Sequence, residues 1–418
     1  MGVSMAGLRD RLRQLKGEAP LPPPAELEPL PAELEPLAER DAALAGRLRR
    51  LRPIAAQTEG AGTPLADEAA LAAFLQGEVV APGLILVRWC APLQQHHGRY
   101  PLERLMEPVA QIVGGGLHDP TRCAWIDTET TGLAGGTGTT VFQIGLLRLW
   151  QGALHGRQWL LSGYGGEAAM LRQFQQALAG VTQLVSFNGK SFDVPLLATR
   201  FRLQGMADPL SGLAHLDLLH PFRRLFAGQL PDCRLQRGEQ HLLGLQRQDD
   251  LPGAEAPLAW QAWLRGKRGH ALAGVLRHNQ DDLLSLTLLP VVLGECFRSA
   301  AHGASPLGVA RAWIEAGDEG VARQVLEMHM SRLDGDGLQQ LGWLYRRAGL
   351  WSRAVIVWRM AAAKGHAAAM EALAKYHEHQ DHDLAQAWIW AQRLQQRLGR
   401  TGEVSKRINR LRKKRGEE

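Results

Sequence analysis

Apolar positions recur in two rhythms along the 418-residue chain, and the change between them predicts its architecture. Short apolar runs bounded by Gly, Thr and Asn predict strands at Cys123 to Asp127, Val141 to Trp150, Arg157 to Ser162 and Leu184 to Phe187. A helix is predicted over Glu167 to Leu178, an earlier strand at Gly83 to Trp89, and helices dominate beyond Val194. Strands alternating with helices predict an α/β domain. Past Ser305 the pattern is helical throughout. Gly317 with Ala322 recurs as Gly349 with Ala354 and as Gln380 with Ala385, at intervals of 32 and then 31 residues. That period predicts about three helix pairs stacked as a short solenoid, close to the roughly 34-residue tetratricopeptide repeat.

The N-terminal part follows neither rhythm. Leu8, Leu12 and Leu15 form one stripe of a short amphipathic helix, and Pro-Ala-Glu-Leu-Glu-Pro-Leu then occurs twice, at Pro24 to Leu30 and Pro31 to Leu37. Proline at that density reads as a linker. The expected organisation is therefore an N-terminal helix and Pro/Glu-rich linker over 1–70, an α/β domain over 71–300, helical repeats over 304–400 and a basic tail over 401–418.

Composition narrows the class. Hydrophobic residues make up 45% of the chain, enough for a sizeable core, and the longest apolar stretch, Leu283 to Gly294, is too short and interrupted to span a bilayer. With no apolar signal segment at Met1, the expectation is a cytoplasmic protein without a membrane partner. Cys90, Cys123, Cys233 and Cys296 are scattered and read as reduced core residues. The His96-His97 pair reads as part of a solvated loop. A net charge of +6 favours an anionic partner, and Lys406, Arg407, Arg410, Arg412, Lys413, Lys414 and Arg415 concentrate positive charge in the tail.

The chemistry-bearing positions are acidic. Asp127 and Glu129 follow an apolar strand and precede Thr130-Thr131-Gly132; residues two apart on a strand share a face, so both carboxylates project together. Such a pair resists joint ionisation unless a cation compensates it, and hard oxygen donors suit magnesium or manganese. In Asn188-Gly189-Lys190-Ser191-Phe192-Asp193 a strand ends in a turn and Asp193 opens a helix. A nucleotide-triphosphate loop is excluded there, since its first glycine would fall at Leu184. In Arg277-His278-Asn279-Gln280-Asp281-Asp282, His278 and Asp282 are four apart and share a helix face.

Three such segments in this order resemble the Asp-Glu-Asp-Asp superfamily of 3′-to-5′ exonucleases. The closer resemblance is to the YprB-type ribonuclease H-like family, through Asp127 to Gly138, Asn188-Gly189 to Phe192-Asp193, and His278-Asn279 to Asp282, with Asp232 to Gln236, Leu243-Gly244-Leu245 and Asp249 to Gly253 also similar. The resemblance covers roughly residues 80 to 300. It implies a ribonuclease H-like fold with a mixed central sheet and flanking helices, followed by an appended tetratricopeptide-like α-helical repeat domain. It also implies metal-dependent phosphodiester hydrolysis with two Mg2+ or Mn2+ ions held by Asp127, Glu129, Asp193 and Asp282. His278 becomes the residue that orients or deprotonates water; its four-residue spacing favours Asp282 over Asp281 as the last ligand. The implied partner is a single-stranded end of DNA or RNA. Outside the metal ligands, the charged residues Lys190, Arg223, Arg224 and Arg234 are candidate phosphate contacts, and the repeats are a candidate surface for a protein partner. The alternative is a non-catalytic scaffold that binds nucleic acid or a protein through the repeats. Phe142 and Phe187 are assigned to the core.

Overall fold

A computed structural model describes residues 64–107, 116–132, 138–247, 251–399 and 401–416. The expected N-terminal helix and most of the Pro/Glu-rich linker lie outside these residues, as do Leu133 to Thr137 of the Gly-rich run and Asp249-Asp250. The α/β part contains β1 (Glu78–Ala81), β2 (Leu84–Pro92), β3 (His96–His97), β4 (Tyr100–Pro101), β5 (Cys123–Thr130), β6 (Val141–Trp150), β7 (Ala153–Leu161), β8 (Gln183–Ser186) and β9 (Ala214–Asp217). Its helices are α1 (Glu68–Phe74), α2 (Glu167–Ala177), α3 (Asp193–Leu203), α4 (Leu219–Phe226), α5 (Leu235–Gly238), α6 (Ala256–Gly266) and the 28-residue α7 (Leu272–Ser299).

Seven strands form one mixed sheet in the order β1-β2-β7-β6-β5-β8-β9, while β3 and β4 pair separately. The pairs from β1 to β5 are antiparallel and β5-β8-β9 are parallel. Alternation along the strands feeds two cores. Cys123, Trp125 and Leu147 point toward α7, whereas Ala124, Ile126 and Leu146 point toward α2 and α3. The predicted strands are all present. β1 and β9 escaped the sequence reading because they are short edge strands, and Ala214-His215-Leu216-Asp217 contains no β-branched residue.

Helix α7 explains the apolar run noted in the sequence. From Leu283 to Leu293 every residue is buried, because this half lies between the sheet and the first C-terminal helix pair. Each fully buried leucine there contributes roughly 1.5–3 kcal/mol. Among the described residues, no helix is long and apolar enough to cross a membrane.

The C-terminal region consists of α8 (Pro306–Glu315) with α9 (Glu319–Met328), α10 (Gly335–Arg347) with α11 (Trp351–Ala363), α12 (Ala367–His379) with α13 (Leu384–Leu398), and α14 (Gly402–Lys414). Five of these helices begin with a Ser, Asp or Thr cap that accepts from the amide three residues on: Ser305, Asp318, Asp334, Asp383 and Thr401. Each such cap contributes about 1 kcal/mol. The first pair shares the core of the α/β part: Trp313 Nε1 donates to Phe297 O at 2.9 Å, and Arg224 pairs with Glu315 at 2.7 Å. The basic tail is the helix α14, with Val404, Ile408 and Leu411 buried. Arg410 and Lys414 donate to the buried carboxylate of Glu378 on α12 at 2.8 and 2.9 Å, so part of its charge is neutralised within the protein.

Candidate active site

Strand β5 carries Asp127 and Glu129 to its C-terminal end, where the register with β6 breaks between Glu129 and Thr130. Asp127 lies opposite Gly145, and Glu129 opposite Gln143. This opposition matters: a Cβ on Gly145 would stand 2.1 Å from Asn279 Oδ1, so only glycine lets α7 approach here. Asn279 Nδ2 donates to Asp127 Oδ2 at 2.7 Å, while its Oδ1 accepts from Gln143 at 2.7 Å and Gln158 at 2.9 Å. These three amide side chains are buried, and together they fix the orientation of Asp127.

Asp193 is the first residue of α3, placed by the Asn188-Gly189 turn after β8. Buried Asp217 orders that turn by accepting from the backbone amides of Asn188 at 2.7 Å and Lys190 at 3.0 Å. Asn188 has φ 70°, a left-handed conformation that Asn tolerates, and a Cβ on Gly189 would meet Ser186 Oγ at 2.3 Å. The Asp193 carboxylate accepts from Thr128 Oγ1 at 2.5 Å. Burial pushes its pKa up to about 6 against the lowering effect of that bond. Asp127 rises well above the ordinary carboxylate range, first through burial and then through Asp282, Asp193 and Glu129. Asp282, Asp193 and Glu129, from three distant segments, thus all act on Asp127 at the end of β5.

Asp282 and His278 occupy one face of α7, with His278 Nε2 3.7 Å from Asp282 Oδ2. The sequence reading missed their common partner. Arg247, almost wholly buried, donates to Asp282 Oδ1, to Glu239 at 2.5 and 2.9 Å, and to His278 Nδ1 at 3.0 Å. A guanidinium only donates, so Nδ1 is the acceptor and a neutral His278 carries its proton on Nε2, facing Asp282. In this arrangement Arg247 uses the imidazole lone pair that a general base would need. Glu239 in turn accepts from Ser285 Oγ at 2.5 Å, and His97 Nε2 contacts Ser285 Oγ at 2.7 Å. His97 is therefore a buried group rather than part of a solvated loop; burial, then Arg247, lowers its pKa to about 4. Phe142 is fully buried and Phe187 packs against the core, as expected. Lys190, Arg223, Arg224 and Arg234 are exposed. Cys123 and Cys296 are buried, whereas Cys90 is exposed rather than part of the core.

Among the described residues, no three His, Cys, Asp or Glu side chains are drawn close enough to hold a metal ion as they stand. Three of the four carboxylates are instead engaged by neighbouring groups: Asp127 by Asn279, Asp193 by Thr128, and Asp282 by Arg247 with His278 beside it. The donor set nevertheless fits a hard divalent cation, since it consists of oxygens whose mutual repulsion a cation would relieve.

Residues 124–293 match the ribonuclease H superfamily. Over 316 residues the chain is 31% identical to the uncharacterized protein YprB of Bacillus subtilis (strain 168), covering 71% of this chain and 76% of that one. It also aligns over 56% of its length with 30% of the family B DNA polymerase of the hyperthermophilic archaeon Pyrobaculum calidifontis, at 15% identity and a TM-score of 0.31, a likeness too slight to carry function across. With its seven-stranded mixed sheet and its acidic strand end, the chain belongs to the YprB family of ribonuclease H-like proteins.

Proposed function

We propose that this protein is a metal-dependent nuclease that hydrolyses nucleic-acid phosphodiesters from the 3′ end, with Asp127, Glu129, Asp193 and Asp282 as the ligands of two Mg2+ or Mn2+ ions. One observation carries the reading: Asp282, Asp193 and Glu129, from three segments, all act on the buried Asp127, which a buried amide network orients. Membership in the ribonuclease H superfamily supports nuclease-type activity. Bound divalent ions would supply Lewis acidity toward the phosphate and an activated water. The chain's own groups hold the donors in place. Asn279 orients Asp127, Thr128 orients Asp193, and Arg247 balances Asp282 and Glu239. His278 is assigned to orientation beside Asp282, because its second nitrogen is taken by Arg247. The C-terminal helix pairs are assigned to a tetratricopeptide-like module, and the site of action to the cytoplasm.

The test uses end-labelled single-stranded and duplex DNA and RNA with Mg2+, Mn2+ or EDTA. The expected result is a ladder growing from the 3′ end that EDTA, Asp127→Ala and Asp282→Ala each abolish. Absence of cleavage by folded protein with either metal would favour the scaffold reading.

A further inference from the structure

Around the β6–β7 turn lies a cleft of about 770 Å³; Arg88, Arg148, Trp150, His155 and Arg157 line it from the sheet face opposite Asn279, and Trp89 and Gly156 from Asn279's own face. Its volume falls within the roughly 300–1,000 Å³ of ligand pockets. Strand register sets its chemistry. Arg88, Arg157 and Leu146 form one cross-strand row; Cys90, His155 and Arg148 form the next; Trp150 ends the face. Asp127 is paired with Gly145, which has the opposite parity on β6, so the candidate active site and this row of arginines use different faces of the sheet.

Trp150 is held out rather than loosely exposed. The turn Gln151-Gly152 joins β6 to β7 with φ 49° and 77°, the two-residue form whose twist matches the strands. The indole is 61% exposed, and its ring meets His155 edge-on at 5.5 Å. Trp89 lies over Gly156, where a Cβ would come within 2.0 Å of its ring. Arg148 is anchored by donating to Ala177 O and Ala179 O at 3.2 and 2.8 Å. Arg157 stands beside it, with no carboxylate partner among the described residues. Arg88 pairs with the exposed Glu78, so among the described residues the three guanidiniums have one carboxylate paired with them. Like charges held together on a rigid sheet, with a flat ring beside them, suit a phosphate backbone carrying an unpaired base.

We propose that this cleft is a second nucleic-acid site, which binds a single strand through its phosphates on Arg88, Arg148 and Arg157 and stacks one base on Trp150. It rests on the nucleic-acid reading above but not on catalysis, since its arginines and Trp150 lie on the sheet face away from Asp127.

The experiment uses the full chain in EDTA. Binding of fluorescein-labelled oligothymidylate and oligouridylate is followed by anisotropy across a salt series, for wild type, Arg88→Glu, Arg157→Glu and Trp150→Ala. Each variant should weaken binding by about tenfold. Loss of one phosphate contact should reduce the salt slope by about 0.7, whereas Trp150→Ala should leave the slope unchanged. A local readout accompanies this: Cys90 sits in the same row as His155 and is exposed, so bound oligonucleotide should shield it from a maleimide, with modified peptides located by mass spectrometry. Wild-type affinity in all three variants, or unshielded Cys90 at saturation, overturns the proposal whatever the cleavage assay shows. Equal binding of a duplex that ignores Trp150→Ala overturns the single-strand assignment. Shielding of Cys90 with no cleavage under any metal retains this site and rejects the nuclease.

Discussion

Replacing Gly145 by alanine tests how the sheet and α7 jointly position Asp127. The added methyl would lie 2.1 Å from Asn279 Oδ1 and 2.7 Å from both Cγ and Nδ2, whereas ordinary van der Waals contact begins at 3.4 Å. If α7 shifts to make room, overpacking costs about 1–3 kcal/mol. If Asn279 turns away instead, Gln143, Gln158 and Asp127 lose a shared partner, and each buried group left unsatisfied costs about 1–3 kcal/mol. Either route predicts a loss of about 2–3 kcal/mol in urea unfolding followed by circular dichroism. Asn279→Ala removes the obstacle, so adding Gly145→Ala to that background should cost under about 1 kcal/mol, giving a coupling of about 2 kcal/mol. Additive effects, within about 0.5 kcal/mol, would refute the claim that Gly145 is there to admit Asn279.

Arg247→Met should destabilise the protein by about 3–5 kcal/mol in the same assay, because the wholly buried Glu239 loses its cation; Glu239→Leu added to it should recover most of the loss. In EDTA the folded protein holds a proton on Asp193 up to about 6, whereas the unfolded chain releases it near 3.8, so Asp193 makes stability fall as pH rises through that window. Asp193→Asn should remove this component from a pH series of urea midpoints. Glu378 has the opposite sign: burial pushes its pKa up, but Arg410 and Lys414 outweigh it and bring it to about 2. Its contribution is present above the ordinary 4.5 and is lost as pH falls toward 2, where amide exchange in Gly402–Lys414 should accelerate first.

The acidic motifs were legible because each is local. Asp127 and Glu129 end a strongly apolar strand, and Asp193 follows an Asn-Gly turn whose backbone demands are written in those two residues. The helical character of the C-terminal region was legible through its apolar period. Arg247 was not legible, since its partners lie 8 and 35 positions away and no spacing rule connects them. Asn279 stood inside a recognised motif, yet its role depends on Gln143 and Gln158 from two other strands. The arginine cleft was hidden for the same reason: Arg88, Arg148 and Arg157 become neighbours only through the β2-β7-β6 register. The tail read as free positive charge because nothing local revealed Glu378 beneath it.

In the proposed mechanism the carboxylates at the end of β5 hold divalent metal. Manganese binding, measured by electron paramagnetic resonance on the full chain, tests it most directly. Wild type should take up Mn2+ from solution, with binding lost in Asp127→Asn and sharply weakened in Asp193→Asn, while Asp281→Asn binds as wild type. Equal uptake by wild type and Asp127→Asn would contradict the account.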